Sequence, residues 1–346
     1  MGHEGRTRRM AKTIVALEVT EESVRAVELS RGRKPHLIAY GEVPLPLGAA
    51  RDSEVLDSGA VAVALRQLWT GARFKSKSVV LGVASRRILV REYTTQAMRP
   101  DLLREALPFQ VQDLLPVPAS QAVLDFFPLS QNGDQVSGLL VAAVADNIEQ
   151  IIGTLGKVKL RAQGVDLAAF GLARVTAPLA APDETVATIS IGDHTTQVVV
   201  SRGGIPQFVR ILPIDVATSA SRRHAIEANA DALEYAAAGN GAGLTRTRGS
   251  VRTAVSPGVS DLAARLRSTL SFFATRPGAI APSQAFVTGA GAAVEGVMPA
   301  LNAAIDTSVS MVTVGDVIGM TGQPPALETA LNLVGTVGIA LGEARR

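Results

Sequence analysis

The sequence has no cysteine, one tryptophan and only 4% aromatic residues in all. Without thiols there can be no disulfide, no thiolate nucleophile and no cysteine-ligated metal. A cysteine-free chain is compatible with the cytoplasm. Basic patches interleaved with stacking aromatics are missing, which argues against RNA or single-stranded DNA as a partner. Several catalytic signatures are missing too. There is no Gly-x-x-x-x-Gly-Lys-Ser/Thr phosphate loop and no Gly-x-Ser-x-Gly elbow. His3, His36, His194 and His224 show no metal-ligand spacing along the chain. No apolar h-region follows the basic start, so no signal peptide is read. No apolar run reaches the ~18–20 residues that cross a bilayer, and the longest candidate, around Leu331–Leu341, is too short.

What is present points to a sizeable folded core. The chain has 346 residues, 47% of them hydrophobic and 19% charged, enough for two domains and too apolar for general disorder. The net charge of +3 resides at the start, where Arg6, Arg8, Arg9 and Lys12 outweigh Glu4. The remainder is close to neutral, which is unlike a nucleic-acid-binding body. Residues 1–11 read as a disordered basic tail, with Met10 an alternative initiator.

Two segments in opposite halves share one layout. Thr13–Val19 reads as a buried strand, Thr20-Glu21-Glu22 as a polar turn, and the run to Leu29 as a half-buried strand. A break at Gly32 and Pro35 leads to a third strand, His36–Val43. Later, Thr185–Ile191 is a strand, Gly192-Asp193-His194 a turn and Thr195–Ser201 a strand. Gly203-Gly204 and Pro206 then break the chain before Gln207–Ile214. This is an internal structural duplication, and it predicts two α/β lobes each led by an antiparallel meander.

Between them, Ala60–Leu68 reads as a helix and Val79–Val83 as a strand. Residues 86–166 read as an inserted α/β unit with strands at Ile88–Thr94, Ala122–Leu129 and Ser137–Ala145. Its helices are Pro100–Leu115, with a kink or restart expected at Pro108, and Asn147–Val158. The boundaries are 12–85 for the core of lobe one, 86–166 for the insertion and 167–184 for an interlobe helix and linker. Lobe two takes 185–210 and 281–322 as core and 211–280 as insertion, and 323–346 forms a closing helix. The Gly-, Arg- and Thr-rich stretch Ala236–Val259 reads as a loop. Ala292–Ile305 reads as a helix following the turn Gly289-Ala290-Gly291.

The candidate chemistry lies in the turns. Thr20 and Ser23 offer hydroxyls, and Glu18 puts a carboxylate in an apolar strand, where it needs a partner or a cation. Gly192 permits close backbone approach, and Thr195 and Thr196 add hydroxyls. Thr288-Gly289-Ala290-Gly291 passes from strand toward helix, as an anion or nucleotide seat does.

Taken in order, these turns resemble those of the actin-like ATPase superfamily, a duplicated RNase H-like fold. Within it the chain resembles the PilM family of type IV pilus assembly. The most specific stretches are ALPFQVQDLLPVPASQAVLDFFPL from Ala106 to Leu129, then LLVAAVADNIEQIIGTL and GVDLAAFGLAR. They match the insertion that sets PilM and its relative FtsA apart from actin and the sugar kinases. The closing Val337–Leu341 is similar to the family's last helix.

The resemblance implies ATP or ADP in the interlobe cleft, held by Thr20, Ser23, Arg25, Gly192, Thr195, Thr196, Gly289, Ala290 and Gly291, with Mg²⁺ at Glu18. It implies a cytoplasmic scaffold recruited to the inner face of the membrane. Its partners would be the N-terminal tail of a PilN-like bitopic membrane protein, docked between the lobe-one core and the insertion, and the pilus assembly ATPases. The motifs depart from the family pattern. Glu18 stands for an Asp, a displacement of roughly 1.5 Å. Thr20 stands for a Gly and Ser190 for an acid, while Arg265 aligns with a helical Glu. Weak or absent hydrolysis is therefore expected. An active ATPase, a sugar-kinase-like phosphotransferase and an FtsA- or GspL-like component are the alternatives. The stop at Gly342–Arg346 lacks the membrane helix of the last two.

Overall fold

A computed structural model describes residues 13–238 and 257–344. The basic start, residues 1–11, lies outside the described residues. Lobe one begins with the meander β1 (Thr13–Val19), β2 (Ser23–Ser30) and β3 (Leu37–Pro44). A small hairpin follows, β4 (Ala50–Arg51) and β5 (Glu54–Val55), then α1 (Ser58–Gly71) and β6 (Ser78–Val83). Asp57 caps α1 by accepting from the amides of Gly59 and Ala60, which fixes where the helix starts.

Next come β7 (Leu89–Gln96), α2 (Pro100–Gln110), β8 (Ala122–Asn132), β9 (Gln135–Val144) and α3 (Ala145–Lys157). Pro100 opens α2, where its missing N–H costs nothing. Strands β7, β9 and β8 form a separate antiparallel sheet in that order. Helix α3 returns to lobe one, where Ile151 and Leu155 join its core. The chain then enters β10 (Arg161–Leu167) and α4 (Ala168–Thr176). The sequence assigns β10 to the inserted unit, whereas the backbone pairs it in parallel with β6. It is the fifth strand of the lobe-one sheet, ordered β10-β6-β1-β2-β3.

Lobe two repeats this pattern with β11 (Thr185–Ile191), β12 (Thr195–Arg202) and β13 (Ile205–Pro213). Helices α5 (Ser219–Ala238) and α6 (Pro257–Ala274) follow. Most of the expected loop Ala236–Val259 lies outside the described residues. The lobe ends with β14 (Gln284–Thr288), α7 (Val297–Ala304), β15 (Ser308–Met311) and the short α8 (Val314–Val317). Its sheet order is β13-β12-β11-β14-β15. In both sheets the first three strands are antiparallel and the other two parallel, so the expected duplication is present in topology and register.

The closing helix α9 (Leu327–Ala344) joins the lobes. Leu333, Val334, Val337 and Ile339 enter the lobe-one core, and Leu331 enters that of lobe two. It crosses α4 at very short range. A Cβ on Gly338 would stand 2.0 Å from the Gly171 carbonyl oxygen, so only glycine permits this crossing.

Candidate functional site

The two hairpin turns face one another across the interlobe cleft. Their backbones are equivalent: Thr20 donates to the Ser23 carbonyl at 2.9 Å, and Gly192 to the Thr195 carbonyl at 2.9 Å. Glu18 pairs with Arg25 across β1 and β2, as Ser190 pairs with Gln197 across β11 and β12. Ser190 is thus the structural counterpart of Glu18.

Directly opposed residues share a sheet face, and Arg25 is in turn opposite Glu42 on β3. Glu18, Arg25 and Glu42 therefore form a charged row on the face covered by α9. Glu18 is buried, its carboxylate 3.5 Å from Arg25 Nε, and it also accepts from the Thr336 hydroxyl on α9. Glu42 accepts from Ser23 Oγ at 2.9 Å, Asn332 Nδ2 at 3.0 Å and Thr329 Oγ1 at 2.9 Å. The matching row of lobe two, Ser190, Gln197 and Ile211, carries no charge.

Of the residues expected to hold nucleotide, Thr20, Arg25, Gly192, Thr195 and Gly289 line the cavity between the turns, whereas Ser23, Thr196, Ala290 and Gly291 do not, and most are engaged within the protein. Thr20 Oγ1 donates to the Ser23 carbonyl and accepts from the Ser23 amide at 3.1 Å, so it closes its own turn. Thr195 lines the cleft, whereas Thr196 is fully buried and finds no donor or acceptor in the protein. Gly289, at φ +82°, is pressed on β11, where a Cβ would meet the Ile191 carbonyl oxygen at 2.3 Å. Gly291 packs equally closely on the Ile191 side chain.

The amides of this third turn point to α9. Gly289 donates to the Leu331 carbonyl at 3.3 Å and Ala290 to Asn332 Oδ1 at 2.8 Å. The expected helix after Gly291 is a 3₁₀ turn, Ala290–Ala293, and α7 begins only after Gly296, which sits at φ +85°. Arg265 holds Asp261 one turn away on α6.

The turn tips carry groups that sequence reasoning described only as polar. Glu21 and Glu22 project from lobe one toward Asp193 and His194 of lobe two. His194 Nε2 lies 3.9 Å from Glu21 Oε1 and 3.8 Å from Glu22 Oε1, and its Nδ1 lies 2.7 Å from Asp215 Oδ1. Burial, and then the neighbouring Asp193 carboxylate, push the Glu22 carboxyl up to about 9. Burial raises Asp193 as well, opposed by its hydrogen bond with Glu22 and by His194 and Arg25. Glu22 and Asp193 therefore share one proton, because burial disfavours two charges side by side. A second interlobe tie is buried nearby, His224 Nε2 at 2.9 Å from the Leu45 carbonyl oxygen. No local spacing signal could have found the Glu21–His194, Glu22–His194, Glu22–Asp193 and His224–Leu45 pairs, because each joins the two halves of the chain.

The tips leave a cavity of about 50 Å³, whereas small-molecule sites commonly enclose ~300–1,000 Å³. As closed here, the cleft does not fit a nucleotide. Nor does Glu18 fit a hydrated Mg²⁺, since its charge is balanced by Arg25.

A model of the type IV pilus assembly protein PilM matches residues 16–343. The chain belongs to the PilM family. A solved PilM–PilN type IV pilus biogenesis complex is similar at 22% identity, over 96% of this chain and 99% of that one, with a TM-score of 0.78. The ethanolamine utilization protein EutJ from Carboxydothermus hydrogenoformans is similar at 13% identity, over 96% and 90%, with a TM-score of 0.50. The cytoplasmic domain of EpsL, an inner membrane component of the Vibrio cholerae type II secretion system, follows at 13% identity, over 95% of each chain, with a TM-score of 0.48. The fold is the two-lobed actin-like ATPase fold, as its resemblance to PilM implies. Among the described residues of this PilM-family chain, no helix is long and apolar enough to cross a membrane.

Proposed function

We propose that this PilM-family chain is a cytoplasmic docking scaffold, held at the inner face of the membrane by the N-terminal tail of a PilN-like protein. The observation that carries this reading is a groove of about 470 Å³ in the inserted unit, between α2 and β8. Leu103, Leu107, Leu124 and Phe126 line it with apolar surface, and Arg104 lines it as well. Strand β8 lies at an edge of its sheet, so its backbone can pair with an extended peptide while the pockets select side chains. The groove lies within the inserted unit; the seam between that unit and the lobe-one core was the sequence expectation.

Hydrolysis has no part in this reading, because Ser190 supplies no carboxylate where a water-orienting acid would stand. ATP or ADP is a ligand of an opened form in which Glu22 has parted from Asp193. The test is fluorescence anisotropy with a labelled tail peptide of the PilN-like protein. Saturable binding, weakened at least tenfold by Leu103→Glu and unchanged by omitting Mg-ATP, is expected. No binding to the wild-type chain would sink the docking role.

A further inference from the structure

The tips of the two turns bring together groups that neither turn needs for its own fold. Glu21, Glu22 and His194 each offer one ligand atom, and these atoms lie within 4.8 Å of one another. Glu21 is steadied from its own lobe, since its other oxygen faces the Asp52 amide at 3.4 Å. The imidazole is steadied from the opposite side, since Asp215 holds Nδ1 and leaves Nε2 aimed at the two glutamates. A carboxylate behind a histidine whose free nitrogen faces two further carboxylates is the arrangement that orients and strengthens a metal-binding imidazole.

A second observation is independent of that triad. Asp193 is 7% exposed and Gln197 8% exposed. Both line the same cavity; Gln197 Oε1 finds no hydrogen-bond partner in the protein, and Asp193 Oδ1 has none beyond the proton it shares with Glu22. A small cavity with an excess of oxygen acceptors calls for a donor or a cation. Arg25, which also lines it, faces Glu18. The surrounding charge from Glu21, Asp193 and Asp215 is negative.

We propose that Glu21, Glu22 and His194 bind one divalent transition-metal ion that pins the two lobes together. One imidazole and two carboxylates suit zinc, with the ion displacing the proton that Glu22 holds against Asp193; they suit Mg²⁺ poorly because Mg²⁺ prefers oxygen alone and retains its waters. Tetrahedral zinc with ligand bonds of about 2.0–2.1 Å sets its ligand atoms roughly 3.4 Å apart. The 3.9 and 3.8 Å from His194 to Glu21 and Glu22 need a slight contraction, and the widest separation in the triad, within 4.8 Å, a larger one. The ion would occupy the space between the turns that the actin-like fold otherwise gives to phosphate, and it needs no nucleotide.

The test is calorimetric titration of ZnCl₂ into the untagged, chelator-stripped full chain, with MgCl₂ in parallel. One site for zinc and none for magnesium at the same concentration is expected. His194→Ala should abolish it, and Asp215→Asn should weaken it about 10–100-fold while leaving the fold intact by circular dichroism. Substituting Co²⁺ should give a tetrahedral visible spectrum that His194→Ala lacks. Absence of zinc binding in the wild-type chain overturns the proposal. So does zinc binding that His194→Ala and Glu22→Gln leave unchanged, since the ion would then sit elsewhere. Tail-peptide binding is read separately, so either reading can fail alone.

Discussion

Glu42 on β3 accepts a hydrogen bond from Asn332 on α9 at 3.0 Å, and the same Asn332 accepts from the Ala290 amide in lobe two at 2.8 Å. With Ser23 donating to Glu42, one side-chain relay runs from the first turn, through the closing helix, to the third turn. Cutting it leaves polar groups without partners at a packed interface. Glu42→Ala is expected to lower stability by about 1–3 kcal/mol, read from urea unfolding. A cycle with Asn332→Ala should give a coupling of at least ~0.5 kcal/mol. Strict additivity of the two variants would show that the relay is not a unit.

Glu18 is expected to act as a structural acid. Removing it as Glu18→Ala leaves Arg25 and Thr336 facing an apolar core, a loss of about 3–5 kcal/mol for a broken buried pair. The loss should be the same with and without Mg²⁺. A magnesium-dependent stability that disappears in Glu18→Ala would instead make this carboxylate a metal ligand.

The closed cleft should loosen toward alkaline pH. The folded-state value of Glu22 is raised from 4.5 to about 9. Its contribution is therefore fully present below about 4.5 and is lost as pH rises through about 9. Asp193 is raised too, with the same sign. In chelator, the urea midpoint of the wild-type chain should fall between pH 6 and pH 9.5. Glu22→Gln keeps a donor to Asp193 without the ionisation, so its midpoint should fall less. Equal falls in both proteins would remove Glu22 as the cause.

Two glycines on helices should respond in opposite directions. Gly338→Ala drives a methyl into the Gly171 carbonyl, and a drop in melting temperature or loss of soluble protein is expected. Gly153, on the exposed side of α3, has nothing within 4 Å of an added Cβ, so Gly153→Ala should stabilise by about 0.5–1 kcal/mol. A neutral Gly338→Ala would mean that α4 and α9 can slide apart freely.

The turns and meanders were legible because their signals are local. Alternating apolar residues end at Thr20-Glu21-Glu22 or Gly192-Asp193-His194, and Gly and Pro mark the next break. Strand β10 reads as part of the insertion because it is mostly exposed and follows one of that unit's helices. Only its parallel pairing with β6 gives it a place in the core sheet. The helix expected after Gly291 is delayed because Gly296 takes a left-handed turn that apolar periodicity does not register. The Glu22–Asp193–His194 cluster was hidden for a different reason. Its members are ordinary turn residues until the lobes meet, so a search for metal-ligand spacing along the chain passes over them. Glu18 needed a partner, as its setting in an apolar strand required, and Arg25 supplies it.

Helix α9 also sets a timetable for the newborn chain. Leu333, Val334, Val337 and Ile339 lie in the same core as Ile14, Val15 and Leu17 of the first strand. Contacts this distant in sequence form slowly, since a very long loop must close first. While the ribosome is still making lobe two, lobe one has an open apolar trough where α9 belongs, and such surface invites aggregation or chaperone capture. The amino-terminal lobe therefore completes its core only once the closing helix has been made.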